Sequence, residues 1–313
     1  MPAPTKVVLA LLCVAFATPL LAQSALAQST LAQSGLPPEL QPQRPNGGAK
    51  PSICQAVAAP LEPQWRVEHA SFTATERLAE GHSTNGTLAP DEVAIRFDNH
   101  STYVIRTAAG VRIATDFNGY LHGDGTADSR LPPTVATMNR AHSSHYTNNP
   151  DPAIQHVMPG WANELGGAPP AEHYAEVEDV VVRNVTTDIL RWGHQPDGNS
   201  IFVFEVAGLC IGHLGHLHHE PRESHYAALG RLDVVMVPVD GGLTLSHDGM
   251  KRVLDRLRSR VVLPMHLRSF NALPDFLAMM SDLRVSRPRE AELVLSMRTL
   301  PAEPTVVILP NLD

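Results

Sequence analysis

Three apolar runs of strand length in this chain give way to histidines within a few residues of their ends. Val135-Ala136-Thr137-Met138 leads into Arg140-Ala141-His142-Ser143-Ser144-His145. Leu209-Cys210-Ile211 leads into His213-Leu214-Gly215-His216-Leu217-His218-His219, and Val261-Val262-Leu263 into Pro264-Met265-His266. Ligands of open α/β sheets gather where strands end. Imidazole is a natural ligand for a borderline-soft divalent cation such as zinc. Taken singly, the 16 histidines are ordinary surface or core residues. Their clustering at strand ends is what points to a metal.

Further apolar runs fill in an α/β pattern. Val93–Phe97, Tyr103–Ile105 and Val111–Ala114 are separated by short polar turns and read as a meander. Val180–Val185, Ile201–Val206 and Leu209–Ile211 follow, the last two joined by Ala207-Gly208 as a tight hairpin. Val234–Val239, Val261–Leu263 and Val306–Leu309 are later strands. Ser246 reads as a helix N-cap, with Met250, Val253, Leu254 and Leu257 on one face behind it. Glu223–Leu229 and Asp275–Leu283 are further helical segments. Strands in two groups with helices between them predict packed sheets with helices outside. Between Thr147 and Glu178 five prolines interrupt the pattern, which predicts a loop that either walls a pocket or lies inert on the surface.

The N-terminus reads as an export signal over residues 1–27: Lys6, an apolar core from Val7 to Leu21, and Ala25-Leu26-Ala27 as a small-residue cleavage site. The apolar run is too short for a stable membrane anchor. Residues 28–63 form a Pro- and Gln-rich arm, and residues 64–313 are the expected domain. The chain is therefore expected in the periplasm or outside the cell. Net charge is −8 and no basic cluster stands out, which argues against nucleic acid and anionic membrane surfaces as partners; a small-molecule substrate is the expected partner. An oxidising compartment permits Cys54 and Cys210 to pair, but one lies in the arm and the other in an apolar strand, so the expectation is that they stay apart.

The histidines have bland alternatives: His218 and His219 read as a loop that binds metal adventitiously or as outer groups, and His266 as a buried structural residue. Asp240 closes Val234–Val239 and reads either as a turn residue or as part of a site at the same sheet edge.

Taken in order, these elements resemble the metallo-β-lactamase-fold hydrolases, of the branch that includes ascorbate-6-phosphate lactonase-like and ribonuclease-Z-like enzymes. The resemblance covers residues from about 90 to 270. The family motif Thr-His-x-His-x-Asp-His corresponds to Asn139-Arg140-Ala141-His142-Ser143-Ser144-His145, its Gly-Asp to Gly215-His216 and its last histidine to His266. Phe97-Asp98-Asn99-His100-Ser101 resembles its Gly-His-Ser turn, and Ala114-Thr115-Asp116 its strand ending in aspartate. The motif is degenerate: Arg140 replaces a histidine, Ser144 and His216 replace aspartates, and a middle histidine is matched only by Asp188 or His194. A guanidinium cannot ligate a cation.

The resemblance implies an α/β, four-layer αββα sandwich. It also implies a zinc site, with one ion favoured over two, built from His142, His145, His216 and His266, with His213 able to substitute. Asp116, Asp240 or His100 is expected to orient water or accept a proton, and Arg140 to favour an anionic group or stabilise an oxyanion. The implied activity is hydrolysis of an ester, lactone, amide or phosphoester by water activated at the metal. The alternative is a non-catalytic metal- or partner-binding protein that kept the fold; redox chemistry on iron is a third.

Overall fold

The computed structural model describes residues 52–55, 86–126, 128–162, 169–191 and 193–312. The expected signal segment and most of the arm lie outside them. The first five strands are β1 (Val93–Asn99), β2 (Thr102–Thr107), β3 (Arg112–Ala114), β4 (Val135–Met138) and β5 (His156–Pro159). Then come β6 (Tyr174–Val177), β7 (Val180–Ile189), β8 (Gln195–Val206) and β9 (Leu209–His213). Helix α1 (Glu223–Leu229), β10 (Val234–Pro238), α2 (His247–Leu257), β11 (Val261–Met265) and α3 (Ala272–Met279) alternate after them. The described chain closes with β12 (Arg284–Ser286), β13 (Glu292–Leu295) and β14 (Thr305–Val307).

Among the described residues the strands form two mixed sheets. One has six strands in the order β13-β1-β2-β3-β4-β5, the other eight in the order β12-β14-β11-β10-β9-β8-β7-β6. Val93, Ile95, Tyr103, Ile105 and Ile113 of the first share one apolar core with Phe202, Phe204, Ile211, Val235 and Leu263 of the second. Tyr103 also donates its hydroxyl to the Pro264 carbonyl at 2.6 Å, which pins the two sheets together beside the end of β11. Strands β9, β10, β11 and β14 run parallel to one another, while β9 pairs antiparallel with β8. Parallel neighbours need crossovers, and α1 and α2 supply two of them. This is the expected α/β sandwich.

Local chemistry explains several elements. Ala207 and Gly208 both have positive φ (54° and 76°), so the β8–β9 hairpin takes the turn whose twist matches its strands. Ser246 caps α2 by accepting the Gly249 N–H at 3.2 Å, and Gly249, Met250, Val253 and Leu254 bury the apolar face. Helix α3 starts three residues before the expected Asp275. The proline-interrupted segment holds two strands: β5 runs parallel to β4 at an outer edge of its sheet, and β6 pairs with β7 at the edge of the other. Edge positions tolerate the prolines that mask a strand in sequence.

One expectation is corrected. Cys54 and Cys210 form a disulfide, with Cα atoms 5.8 Å apart across 156 residues of sequence. The expectation failed because residues 52–55 dock on the sheet. Ser52 Oγ and Ile53 N donate to the Glu205 carboxylate at 2.6 and 2.9 Å, and Arg231 N donates to Cys54 O at 2.9 Å. Replacing both cysteines by serine is expected to lower stability by about 2–5 kcal/mol, read as a drop in the denaturant midpoint. An unchanged midpoint contradicts a stabilising role for the bridge.

Candidate metal centre

Three strand ends bring three imidazoles to one point. His100 sits in the turn between β1 and β2, His145 in the turn after β4, and His266 directly after β11. One ring nitrogen of each lies within 4.8 Å of the others. The ring centroids are 4.4 Å apart for His100 and His266, 5.3 Å for His100 and His145, and 5.2 Å for His145 and His266. The His266 N–H donates to the His100 carbonyl at 2.8 Å, joining the β1–β2 turn to the end of β11. His100, Asp116 and His266 all have positive φ, at 38°, 50° and 59°. Non-glycine residues hold such backbone only where their surroundings impose it, and such places cluster at functional sites.

Two carboxylates orient the rings. Asp116 Oδ2 lies 2.5 Å from His145 Nδ1, and Asp240 Oδ2 lies 2.8 Å from His266 Nδ1. A histidine that donates Nδ1–H to a carboxylate presents the lone pair of Nε2, the arrangement typical of metal-ligating histidines. His145 Nε2 and His100 Nε2 are buried without a hydrogen-bond partner. A buried polar atom left unpaired costs about 1–3 kcal/mol, and a bound cation removes that cost. Three imidazoles converging on one point suit a zinc-like ion. The residues present fit the metal.

The electrostatics agree. Burial, then the neighbouring His266 and His145, lowers the His100 ring to about 3. Burial and His266 push His145 well below its usual range, and burial with His145 does the same to His216. Neutral imidazole is the ligating form. Burial raises the Asp116 carboxyl to about 7, against the opposing pull of His213 and the Asn139 N–H. Burial acts on Asp240 in the same sense, but donors from His266 and Thr244 outweigh it and hold that carboxylate well below its ordinary value.

The other expected site residues fall into distinct places. Asp116 and Asp240 have no oxygen without a protein donor: Asp116 Oδ1 accepts Asn139 N at 3.1 Å, and Asp240 Oδ1 accepts Gly242 N at 2.9 Å, Thr244 N at 3.0 Å and Leu243 N. Each carboxylate thus contacts one histidine of the centre and backbone donors. His142 is exposed, with Nδ1 2.8 Å from Ser144 Oγ. Residues 142–145 form a turn closed by His145 N to His142 O at 2.7 Å; the two ring centroids lie 6.0 Å apart, but His142 is not among the three histidines whose ring nitrogens converge. His213 uses both nitrogens on backbone: Nε2 faces Ser101 O at 2.8 Å and Nδ1 accepts Gly215 N at 3.1 Å. Asp188 pairs with His194 at 3.0 Å and Arg222 at 3.2 Å, apart from the three histidines.

His216 flanks the centre edge-on, its ring 4.9 Å from His145 and 4.8 Å from His266. Arg140 Nη1 lies 3.2 and 3.3 Å from its two ring nitrogens, and His218 Nε2 lies 2.8 Å from its Nδ1. The guanidinium therefore stands beside the centre with its charge close to the imidazoles. His100 is the ligand candidate that the sequence places only in an orienting role. Its signal is weak, a histidine in a hairpin turn, because the contact that matters is to a residue 166 positions later.

The family signature described as "Beta-lactamase superfamily domain" matches residues 94–266, more than half of the chain. Among solved structures, a protein of Thermotoga maritima assigned as a Zn-dependent hydrolase of the metallo-β-lactamase superfamily is 23% identical. It aligns over 69% of this chain and 98% of its own, with a TM-score of 0.48. Igni18, a metallo hydrolase from Ignicoccus hospitalis, is 17% identical over 66% of this chain and 99% of its own, with a TM-score of 0.46. The metallo-β-lactamase fold protein YhfI from Bacillus subtilis is 7% identical over 69% and 95%, with a TM-score of 0.44. No curated protein shows significant similarity to the chain.

The geometry separates two histidines three residues apart. His145→Ala is expected to remove most bound metal and His142→Ala to leave it nearly unchanged, read as metal content after gel filtration. Asp240→Asn is expected to weaken metal binding roughly 10- to 100-fold. Full metal retention in both His145→Ala and Asp240→Asn contradicts the centre described.

Proposed function

The chain belongs to the beta-lactamase superfamily, and on that footing we propose that it is a zinc-dependent hydrolase with one ion at His100, His145 and His266. The observation that carries this reading is the convergence of three ring nitrogens within 4.8 Å, two of the rings tethered by buried carboxylates. A bound zinc supplies Lewis acidity and lowers the pKa of water at the site. Asp116 and Asp240 fix the tautomers of His145 and His266 and keep their Nε2 lone pairs turned to the centre. Arg140 sets a permanent positive charge beside the imidazoles, where negative charge develops as water attacks an ester, lactone, amide or phosphoester. His216 and His218, 2.8 Å apart, offer a hydrogen-bonded path for a proton from the buried centre to a half-buried ring.

The Cys54–Cys210 disulfide supports a periplasmic or secreted location, since such bonds persist in oxidising compartments. It agrees in that respect with the export-like N-terminal sequence. A metal-binding protein without catalysis is the second reading, favoured by Arg140 and Ser144 standing where the family motif has ligands.

The test is metal content per chain on protein purified without a metal-affinity tag, followed by a screen of esters, lactones, amides and phosphodiesters. The proposal expects about one zinc per chain and a hydrolytic activity that falls at least a hundredfold when chelator removes the metal and returns when zinc is added. Zinc at that ratio with no hydrolysis of any class supports the second reading. No metal after careful handling contradicts both.

A further inference from the structure

Arg140 brings an open guanidinium to the wall of the centre. Its backbone bridges to Asn199 of β8, and Asn199 Oδ1 in turn accepts the His216 N–H at 2.7 Å. That shared mount sets Arg140 beside His216. Arg140 Nη1 lies 3.2 and 3.3 Å from the two ring nitrogens of His216. The two nitrogens of an imidazole point away from each other, so an N–H nearly equidistant from both rests against the ring face, where a guanidinium stacks. Among the described residues no other side chain or carbonyl accepts from this guanidinium. Asp116, the carboxylate whose charge favours Arg140, spends its oxygens on His145 and the Asn139 N–H. A half-buried cation without a counter-ion is costly. Its planar fork of donors matches a carboxylate or phosphoryl group.

A second guanidinium faces the same place. Arg191, just after β7, donates from Nη1 to Gly242 O at 2.7 Å, on the loop whose N–H groups hold Asp240. Its charge opposes that of Arg140, and both bear on the half-buried His218, whose Nε2 lies 2.8 Å from His216 Nδ1. Like charges gathered in a partly buried place repel, and an anion between them removes that cost. Arg268 adds a third positive charge, bearing on His100, His142 and His145. In a chain of net charge −8, arginines collected around one centre run against the general balance and favour an anionic ligand there.

We propose that Arg140 and Arg191 form an oxyanion subsite beside the three-histidine centre, and that the substrate is an anion that seats a phosphoryl or carboxylate group between them. The role in turnover rests on the hydrolase reading above, whereas the subsite itself stands on the arginines. Neutral esters and lactones bind more weakly than anionic ones, because nothing in them answers the two guanidinium charges.

The test is calorimetric titration of the full chain, with zinc bound and after chelator treatment, using inorganic phosphate, acetate and the neutral acetamide. Phosphate or acetate is expected to bind in both forms and acetamide in neither. Tighter phosphate assigns a phosphoryl group to the substrate, and tighter acetate a carboxylate. Arg140→Met and Arg191→Met are each expected to weaken anion binding roughly ten- to a hundredfold, with zinc content unchanged. Arg140→Lys is expected to recover part of the loss, because it keeps the charge without the fork. Anion binding only when zinc is present overturns the proposal, since the anion then sits on the metal. Both variants binding anions as the unaltered chain does also overturns it. So does loss of zinc together with the anion in both variants, because the arginines then serve to hold the histidines in place. Anion binding that needs both arginines, in protein that never holds metal, upholds the subsite and overturns the hydrolase reading instead.

Discussion

Two buried imidazoles held by two buried carboxylates organise this protein's cleft. Asp116 grips His145 and Asp240 grips His266, and the carboxylates are themselves saturated by backbone and side-chain donors. Each carboxylate ends a strand segment, β3 or β10, and each histidine follows a neighbouring strand, β4 or β11. The hydrogen bonds therefore join adjacent strand ends, one pair in each sheet. The two sheets share an apolar core, and Tyr103 reaches across to the Pro264 carbonyl, so the pairs meet face to face. The left-handed backbone at His100, Asp116 and His266 is the conformational cost of that meeting.

Within that frame Arg140 changes the character of the site. The family resemblance has a histidine at this position, whereas here a guanidinium lies against His216 and leaves His145 and His266 to the centre. In the proposed reading, such a site gives up capacity for a second ion and gains attraction for negative charge. Arg268, on the segment that follows His266, adds a second cation near the same rings.

Most strands were legible because long apolar runs bounded by turn residues have few other uses. β5 and β6 were not, since prolines and polar residues at sheet edges look like loop. Within the candidate site, His145 and His266 stand out as residues just beyond apolar strands. The same pattern misleads at His213, where pleat direction turns the ring inward to the Ser101 carbonyl. At His142 the ring lies 6.0 Å from that of His145 yet stays exposed and outside the three that converge. His100 as a ligand depends on a contact between β1–β2 and β11, and Cys54 on the docking of a distant arm segment. Local sequence carries neither long-range fact. The Asp–His pairings are legible only as candidates, because sequence order does not say which carboxylate meets which ring.

The most direct test of the centre is anomalous diffraction at the zinc edge from crystals of the full chain grown with zinc. The account predicts one dominant peak at about 2.0–2.1 Å from a ring nitrogen of each of His100, His145 and His266. A dominant peak at His142, or between the half-buried His219 and His225, whose rings lie 6.0 Å apart, with none among those three rings, would contradict it.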